Sequence, residues 1–193
     1  MSDNPRRTFL YTMAGVMGTA GACATAVPFI RALEPAADTV AAGVTEFDVS
    51  EVEPGMMKTI MWRGQPIFVL HRTEEMLKSL YGHDDMLRDP LSKAIPEVQA
   101  DWMKTKEQRI TRAIKPEYLV VSGVCTHLGC IPVFEPHAGG GGDLPKRWPG
   151  GWHCACHGSN YDLSGRVFKG VPAPYNLFIP PYRYTSDTTI RIG

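Results

Sequence analysis

The strongest constraint on this chain is where its cysteines and histidines sit. It holds five cysteines and six histidines in 193 residues, and seven of those eleven fall into two short boxes. The first is CTHLGC, residues 125–130; the second is HCACHGSNYD, residues 153–162. Sulfur and imidazole donors grouped like this suggest that they act together, on a metal, in a disulfide, or as a nucleophile with its base. A fold that uses both boxes must bring two loops together across the residues between them. A structural zinc site takes four such ligands and would strand two further cysteines. A nucleophile and base need one of each, so the duplication argues against that reading. A two-iron, two-sulfide cluster with two cysteines on one iron and two histidines on the other employs more of the set.

Charge and composition narrow the class. Lys plus Arg and Asp plus Glu are 20 each, mixed along the chain, so no electrostatic case for nucleic-acid binding exists. The 19 glycines and 16 prolines, more than half of them after residue 125, favour short strands and tight turns over a helical bundle.

The N-terminus is the second informative region. Arg6 and Arg7 precede 22 uncharged residues, Phe9 to Ile30, and Glu34 and Asp38 follow soon after. Roughly 20 residues at about 1.5 Å each cross a hydrocarbon layer as one helix. The positive-inside rule then puts residues 1–7 in the cytoplasm and the bulk of the chain outside. Ala14, Gly18 and Ala22 form a small-residue face, and Cys23 reads as a small apolar residue in the run. A cleaved secretory signal is the alternative; the run reads as an uncleaved anchor because no small-x-small site precedes an obvious mature start. RRTFL resembles the twin-arginine export signal, which serves proteins folded around a cofactor before export.

EPAADTVAAGV, residues 34–44, reads as a tether. TEFDVS, MMKTIMW and PIFVLH read as strands, the last two joined at RGQ through Gly64. Thr73 caps a short helix over EEMLKSLY. Residues 84–112 are charged, Pro-interrupted and helix-leaning, an elaboration rather than core. EYLVVSGV (117–124) is a strand entering the first box, and GRVF (165–168), YNLFIP (175–180) and TTIRI (188–192) supply later strands. The fold class is mainly β: a small antiparallel β-sandwich with the boxes on loops, preceded by a single N-terminal transmembrane helix.

CTHLGC together with CxCHGSxYD resembles the Rieske iron–sulfur protein of bacterial cytochrome bc1 complexes (ubiquinol–cytochrome c reductase), and the similarity runs from the twin-arginine anchor to the last strand. The resemblance implies a signal-anchor at 1–33, a flexible hinge at 34–44, and a Rieske [2Fe–2S] domain at 45–193 whose cluster-binding part spans about 120–175. It implies Cys125 and Cys154 on one iron, His127 and His157 on the other, and a Cys130–Cys156 disulfide. Ser159 and Tyr161 match hydrogen-bond donors to a bridging sulfide and a cysteine sulfur. GVPAPYNL, with Pro172 and Pro174, matches a loop that covers the cluster, and Leu128 and Gly129 match a surface that docks at the quinone pocket. Two thiolates leave an oxidised two-iron site about neutral, whereas four leave it at about −2, so the mixed set accepts an electron more readily.

The implied activity is electron transfer from quinol to a c-type cytochrome, with His157, and His127 beside it, handling a proton, as part of proton translocation. Implied partners are a cytochrome b subunit, cytochrome c1, quinol and membrane lipid within a dimeric complex, the head swinging on residues 34–44. The implied location is the bacterial inner (cytoplasmic) membrane: single-pass, N-terminus cytoplasmic, Rieske domain periplasmic. Three features depart from the family pattern: Ala155 stands where proline is usual, Val171 is an extra residue in the covering loop, and the 23 residues Ile131–His153 look long and suggest a surface excursion. His137 and His153 fall outside the matched spacing, and His71 and His83 read as ordinary histidines. Among other classes, a Rieske ferredoxin serving an oxygenase lacks the disulfide cysteines and the anchor. A small Rieske subunit of an arsenite-type oxyanion oxidase shares both the export signal and the disulfide.

Overall fold

Asn4 starts the first helix: its side-chain oxygen accepts from Arg6 N at 3.2 Å, and Pro5 fills the first turn, where a missing N–H costs nothing. This helix, α1, runs Pro5–Arg31, 27 residues or about 40 Å. Its threonines satisfy their hydroxyls on their own backbone, Thr12 on Thr8 O at 2.9 Å, Thr19 on Gly15 O at 2.8 Å and Thr25 on Gly21 O. Among the described residues it is the one helix long and apolar enough to cross a membrane, and its side chains are all exposed. The computed structural model describes residues 4–34, 43–94, 100–142 and 144–193. The tether expected at 34–44 therefore lies almost wholly outside the described residues.

The head, residues 42–193, forms a second unit. Its elements are β1 (Thr45–Asp48), β2 (Met57–Trp62), β3 (Gln65–His71), α2 (Glu74–Ser79), α3 (Lys106–Thr111) and β4 (Tyr118–Ser122). These are followed by β5 (Val133–Glu135), β6 (Gly151–Cys154), β7 (Ser159–Asp162), β8 (Tyr182–Tyr184) and β9 (Thr189–Ile192). They make three antiparallel three-stranded sheets, ordered β1-β9-β8, β2-β3-β4 and β5-β6-β7.

The middle sheet explains the architecture. Side chains alternate across a strand, so a strand buried on both faces must be apolar at every position. In β3, Ile67 and Val69 enter one core while Phe68 and Leu70 enter another; in β4, Val120 joins the first and Leu119 and Val121 the second. The pairings Phe68↔Val121, Leu70↔Leu119 and Val69↔Val120 keep this alternation in register. The first core closes against β8 and β9 through Tyr182, Ile190 and Ile192, the second against Trp152 and Tyr161 of β6 and β7. Each such buried side chain contributes roughly 1.5–3 kcal/mol.

Thr73 caps α2 by accepting from Met76 N at 3.3 Å, as its position predicts. Three expectations are corrected. GRVF is no strand: Val167 and Phe168 make only isolated bridges, to Tyr161 and Leu87. YNLFIP forms no strand: Phe178 O accepts from Ser122 N and Leu177 N donates to Gly165 O instead. Residues 84–112 are not a mere elaboration, because Leu87, Met103 and Ile110 are buried in the hydrophobic clusters. β5, β6, β7 and β8, of three or four residues each, are too short to announce themselves by period.

Candidate metal centre

The two boxes are built alike. β4 ends at Ser122 and runs into the first loop, where Gly129 N donates to Cys125 O at 3.0 Å; the second loop leaves β6 at Cys154, and Gly158 N donates to Cys154 O at 2.8 Å. Each turn closes on a glycine in the left-handed region, Gly129 at φ 86° and Gly158 at φ 74°, which a side chain would strain. Cys125 N also donates to Cys130 O at 2.8 Å, so the first loop is closed on itself. A disulfide between Cys130 and Cys156 joins the loops, with Cα atoms 6.7 Å apart across a sequence separation of 26.

Beside that bond, Cys125 and Cys154 remain free, both buried. Their thiols interact with each other, and the backbone amides of Cys156 and His157 donate towards the Cys154 sulfur. Burial pushes the Cys154 thiol up, with those two amides opposing it. The Cys154 sulfur lies within 4.8 Å of the two disulfide sulfurs, but these are covalently spent and are not thiolate ligands. The rings of His127 and His157 meet edge-on, 4.6 Å between centroids. His157 is exposed; His127 is half-buried, and its Nδ1 is buried without a hydrogen-bond partner.

An unpartnered buried nitrogen is costly by itself. The two free sulfurs adjoin each other and the two imidazoles adjoin each other, on loops tied by the disulfide, and a donor set of this kind fits a mixed-ligand iron–sulfur site.

The surroundings of the boxes are ordered by hydrogen bonds. Tyr161, fully buried, has its hydroxyl 3.1 Å from Cys125 Sγ and accepts from Thr126 N at 3.1 Å. Burial, with Cys125 beside it, pushes the phenol further up, so it stays protonated. Ser159, also fully buried, accepts from Ala173 N at 3.1 Å. Leu128 is 72% exposed, Gly129 and Pro172 are exposed, and Pro174 is half-buried. Ile131 and Val133, just after the first box in the chain, are exposed as well. His153 turns its Nδ1 to Asn160 Oδ1 at 2.8 Å, and His137 lies exposed in the glycine-rich loop. His71 is engaged with Val52 O at 2.7 Å, and His83 with Asp162 at 3.1 Å.

Sequence reasoning missed Thr126 and Ala173. Thr126 donates its hydroxyl to Tyr175 O at 2.6 Å, tying the first box to the covering loop. Its place between a cysteine and a histidine of one box was the available signal.

Two family models match. Residues 1–36 match "Ubiquitinol-cytochrome C reductase Fe-S subunit TAT signal", and residues 91–182 match "Rieske [2Fe-2S] domain". The ubiquinol–cytochrome c reductase iron–sulfur subunit of Allochromatium vinosum is 49% identical over 189 residues, covering 97% of this chain and 88% of that one. The same subunit of Blastochloris viridis is 45% identical over 194 residues, covering 100% and 94%. That of Rhodospirillum rubrum is 42% identical over 192 residues, covering 99% and 93%.

Proposed function

The chain belongs to the family of iron–sulfur subunits of ubiquinol–cytochrome c reductase, and on that premise we propose that Cys125 and Cys154 hold one iron of its [2Fe–2S] cluster and His127 and His157 the other. One observation carries this: beside a formed Cys130–Cys156 disulfide, two buried thiols stay free, and on the same loops the buried Nδ1 of His127 has no partner. When bound, the cluster supplies a one-electron acceptor that mixed thiolate and imidazole ligation makes easier to reduce than an all-thiolate one.

The side chains do the rest. If both rings hold iron through Nδ1, as the buried Nδ1 of His127 favours, the outer nitrogen of each is left to exchange protons; Nε2 of the exposed His157 accepts the hydrogen bond and then the proton of a quinol, with His127 beside it. Tyr161 donates to Cys125 Sγ, and Ser159, accepting from Ala173 N, keeps its own proton to give. Donors aimed at sulfur stabilise added negative charge there. The disulfide keeps the two loops in one geometry. Leu128, Gly129, Pro172 and Pro174 form the edge that meets a cytochrome b subunit, where exposed apolar groups gain by burial.

The electron passes on to a c-type cytochrome, cytochrome c1, within a dimeric complex. α1 anchors the chain in the bacterial inner membrane, the Arg6–Arg7 pair favouring a cytoplasmic N-terminus and a periplasmic head, and residues 34–44 act as the hinge. The export signal and the disulfide fit the oxyanion-oxidase reading equally well, and no observation favours it over the reductase. Purification from membranes in mild detergent tests the assignment: co-isolation with b- and c-type haems and inhibitor-sensitive quinol oxidation are expected. Co-isolation with a molybdenum subunit would overturn it.

A further inference from the structure

A third, small core joins the charged stretch 84–112 and the glycine-rich loop to the segment that leads into the covering loop. Leu87, Trp148 and Phe168 are its buried centre, with Met86, Leu144 and Val171 packed against it. The Trp148 ring stacks on Phe168 at 5.7 Å, and its Nε1 donates to Glu135 O at 3.2 Å, fixing the glycine-rich loop to β5. Residues 86–88 run antiparallel to 167–169: Arg88 N donates to Val167 O at 2.9 Å and Lys169 N to Met86 O at 2.8 Å. From this base the exposed Arg88 reaches over, and its Nη2 donates to Val171 O at 3.0 Å.

Val171 packs against both this core and the core that contains Cys125, Cys154 and Tyr161. Two residues further on, Ala173 N donates to Ser159 Oγ at 3.1 Å, and both residues are fully buried. A hydroxyl has one proton and two lone pairs. Once Ala173 N occupies a lone pair, the Ser159 proton is confined to the directions that remain, and among the described residues it has no acceptor.

We propose that Arg88 is a positioning residue for the redox centre: with Trp148 and Phe168 it clamps the covering loop at Val171, so that Ala173 N holds Ser159 Oγ with its proton aimed into the site. This rests on the cluster reading above. Loosening the clamp lets the Ala173 amide drift, the serine proton samples other directions, and reduction becomes less favourable although no ligand is touched.

The test is a redox titration, followed by electron paramagnetic resonance, of the detergent-purified complex carrying wild-type chain, Arg88→Ala, Ser159→Ala or both. Arg88→Ala is expected to lower the reduced-to-oxidised ratio at fixed potential about threefold, roughly 28 mV at 59 mV per tenfold for one electron. In the Ser159→Ala background the same substitution should shift the ratio by far less, because the group it acts through is gone. Hydrogen exchange of the peptide spanning 170–176 should quicken in Arg88→Ala. An equal shift in both backgrounds would reveal only the loss of a positive charge and overturn the positioning role, as would an unchanged potential with unchanged exchange. A wild-type complex lacking the mixed-ligand signal would instead overturn the cluster reading, and this inference with it.

Discussion

Tyr161 and Asp162 are neighbours on β7, and because side chains alternate across a strand they serve two different polar constellations. Tyr161 faces the boxes, where two cysteines are buried free of any disulfide and a buried histidine nitrogen has no hydrogen-bond partner. Asp162 faces a centre whose carboxylate is saturated, although the buried Nε of Arg112 there has no partner. Its Oδ1 accepts from Ser164 N at 3.0 Å and Arg166 N at 2.8 Å; its Oδ2 takes Arg166 Nε at 2.8 Å, Arg166 Nη2 at 2.7 Å and His83 Nε2 at 3.1 Å. Around it the fully buried guanidiniums of Arg72 and Arg112 bind backbone carbonyls, Arg72 those of Thr111, Leu163 and Pro116, Arg112 those of Ser164, Gly165 and Leu177. Burial pulls both arginines down to about 10, so they stay charged near neutrality. Both constellations are buried, titratable and rich in contacts. What separates them is the kind of group left unspent: around Asp162 the carboxylate has no lone pair left and only a guanidinium N–H is unpaired, whereas the boxes keep free sulfurs and an imidazole nitrogen, the atoms that bind a metal.

The comparison can be broken at either end. Cys154→Ala removes an unspent donor, so the complex should lose its iron–sulfur absorption and all quinol oxidation, while the head melts where cluster-free wild type melts. Retained cluster signal in that variant would remove Cys154 from the ligand set. Asp162→Asn strikes the saturated centre, leaving three buried cations short of their one fully buried carboxylate; a loss of about 3–5 kcal/mol is expected. For a head of this size that lowers the melting temperature on the order of 10 °C.

The same residue sets an acid limit. Burial works against the Asp162 carboxylate, yet Arg166 and His83 outweigh it and hold its pKa well below the usual carboxylate range. A group lowered in the folded state contributes stability that is complete above its unfolded pKa of about 4 and drains as the pH falls below that. Denaturation followed from pH 6 to pH 2 should show this slope in wild type and a flatter one in Asp162→Asn. Smaller again is the bond that joins the loops: Cys130→Ala with Cys156→Ala should cost about 3 kcal/mol, read as a shift of the denaturant midpoint, with faster loss of the cluster on heating.

The unspent centre was far more legible in the sequence than the saturated one. Cysteine and histidine are rare, so their clustering at 125–130 and 153–157 shows without a fold, and the uncharged run Phe9–Ile30 announces α1 by length alone. Arg166 and Asp162 are four apart, the spacing of a helix pair, but lie on a strand and its turn; Arg72, His83 and Arg112 reach them from 50 or more residues away, and charged residues give no period to follow. The same blindness hid Leu87, Met103 and Ile110 inside a charged stretch and Trp148 inside a glycine-rich one. Turn chemistry was half readable. Gly64 marks the β2–β3 hairpin, but the turn places Arg63 at φ 50° and Gly64 at φ 75°, and nothing in the arginine itself foretells a positive φ.

The finest division runs between the two neighbours on β7. Tyr161 has one proton and two acceptors within reach, Cys125 Sγ at 3.1 Å and Thr126 Oγ1 at 3.2 Å. The Thr126 hydroxyl spends its own proton on Tyr175 O, which can only accept, so it offers Tyr161 a lone pair and shares the phenol proton with the sulfur. Tyr161→Phe removes that shared donor while keeping the ring in the core. A hydrogen bond of this kind is worth about 1 kcal/mol, which for one electron is roughly 40 mV, and the sign is downward because the bond favours the more negative, reduced site. If strand alternation keeps the two centres apart, Tyr161→Phe moves the midpoint potential and barely moves the melting temperature, while Asp162→Asn does the reverse. A Tyr161→Phe variant that melts as early as Asp162→Asn, with its potential unmoved, would mean that β7 carries one constellation and not two.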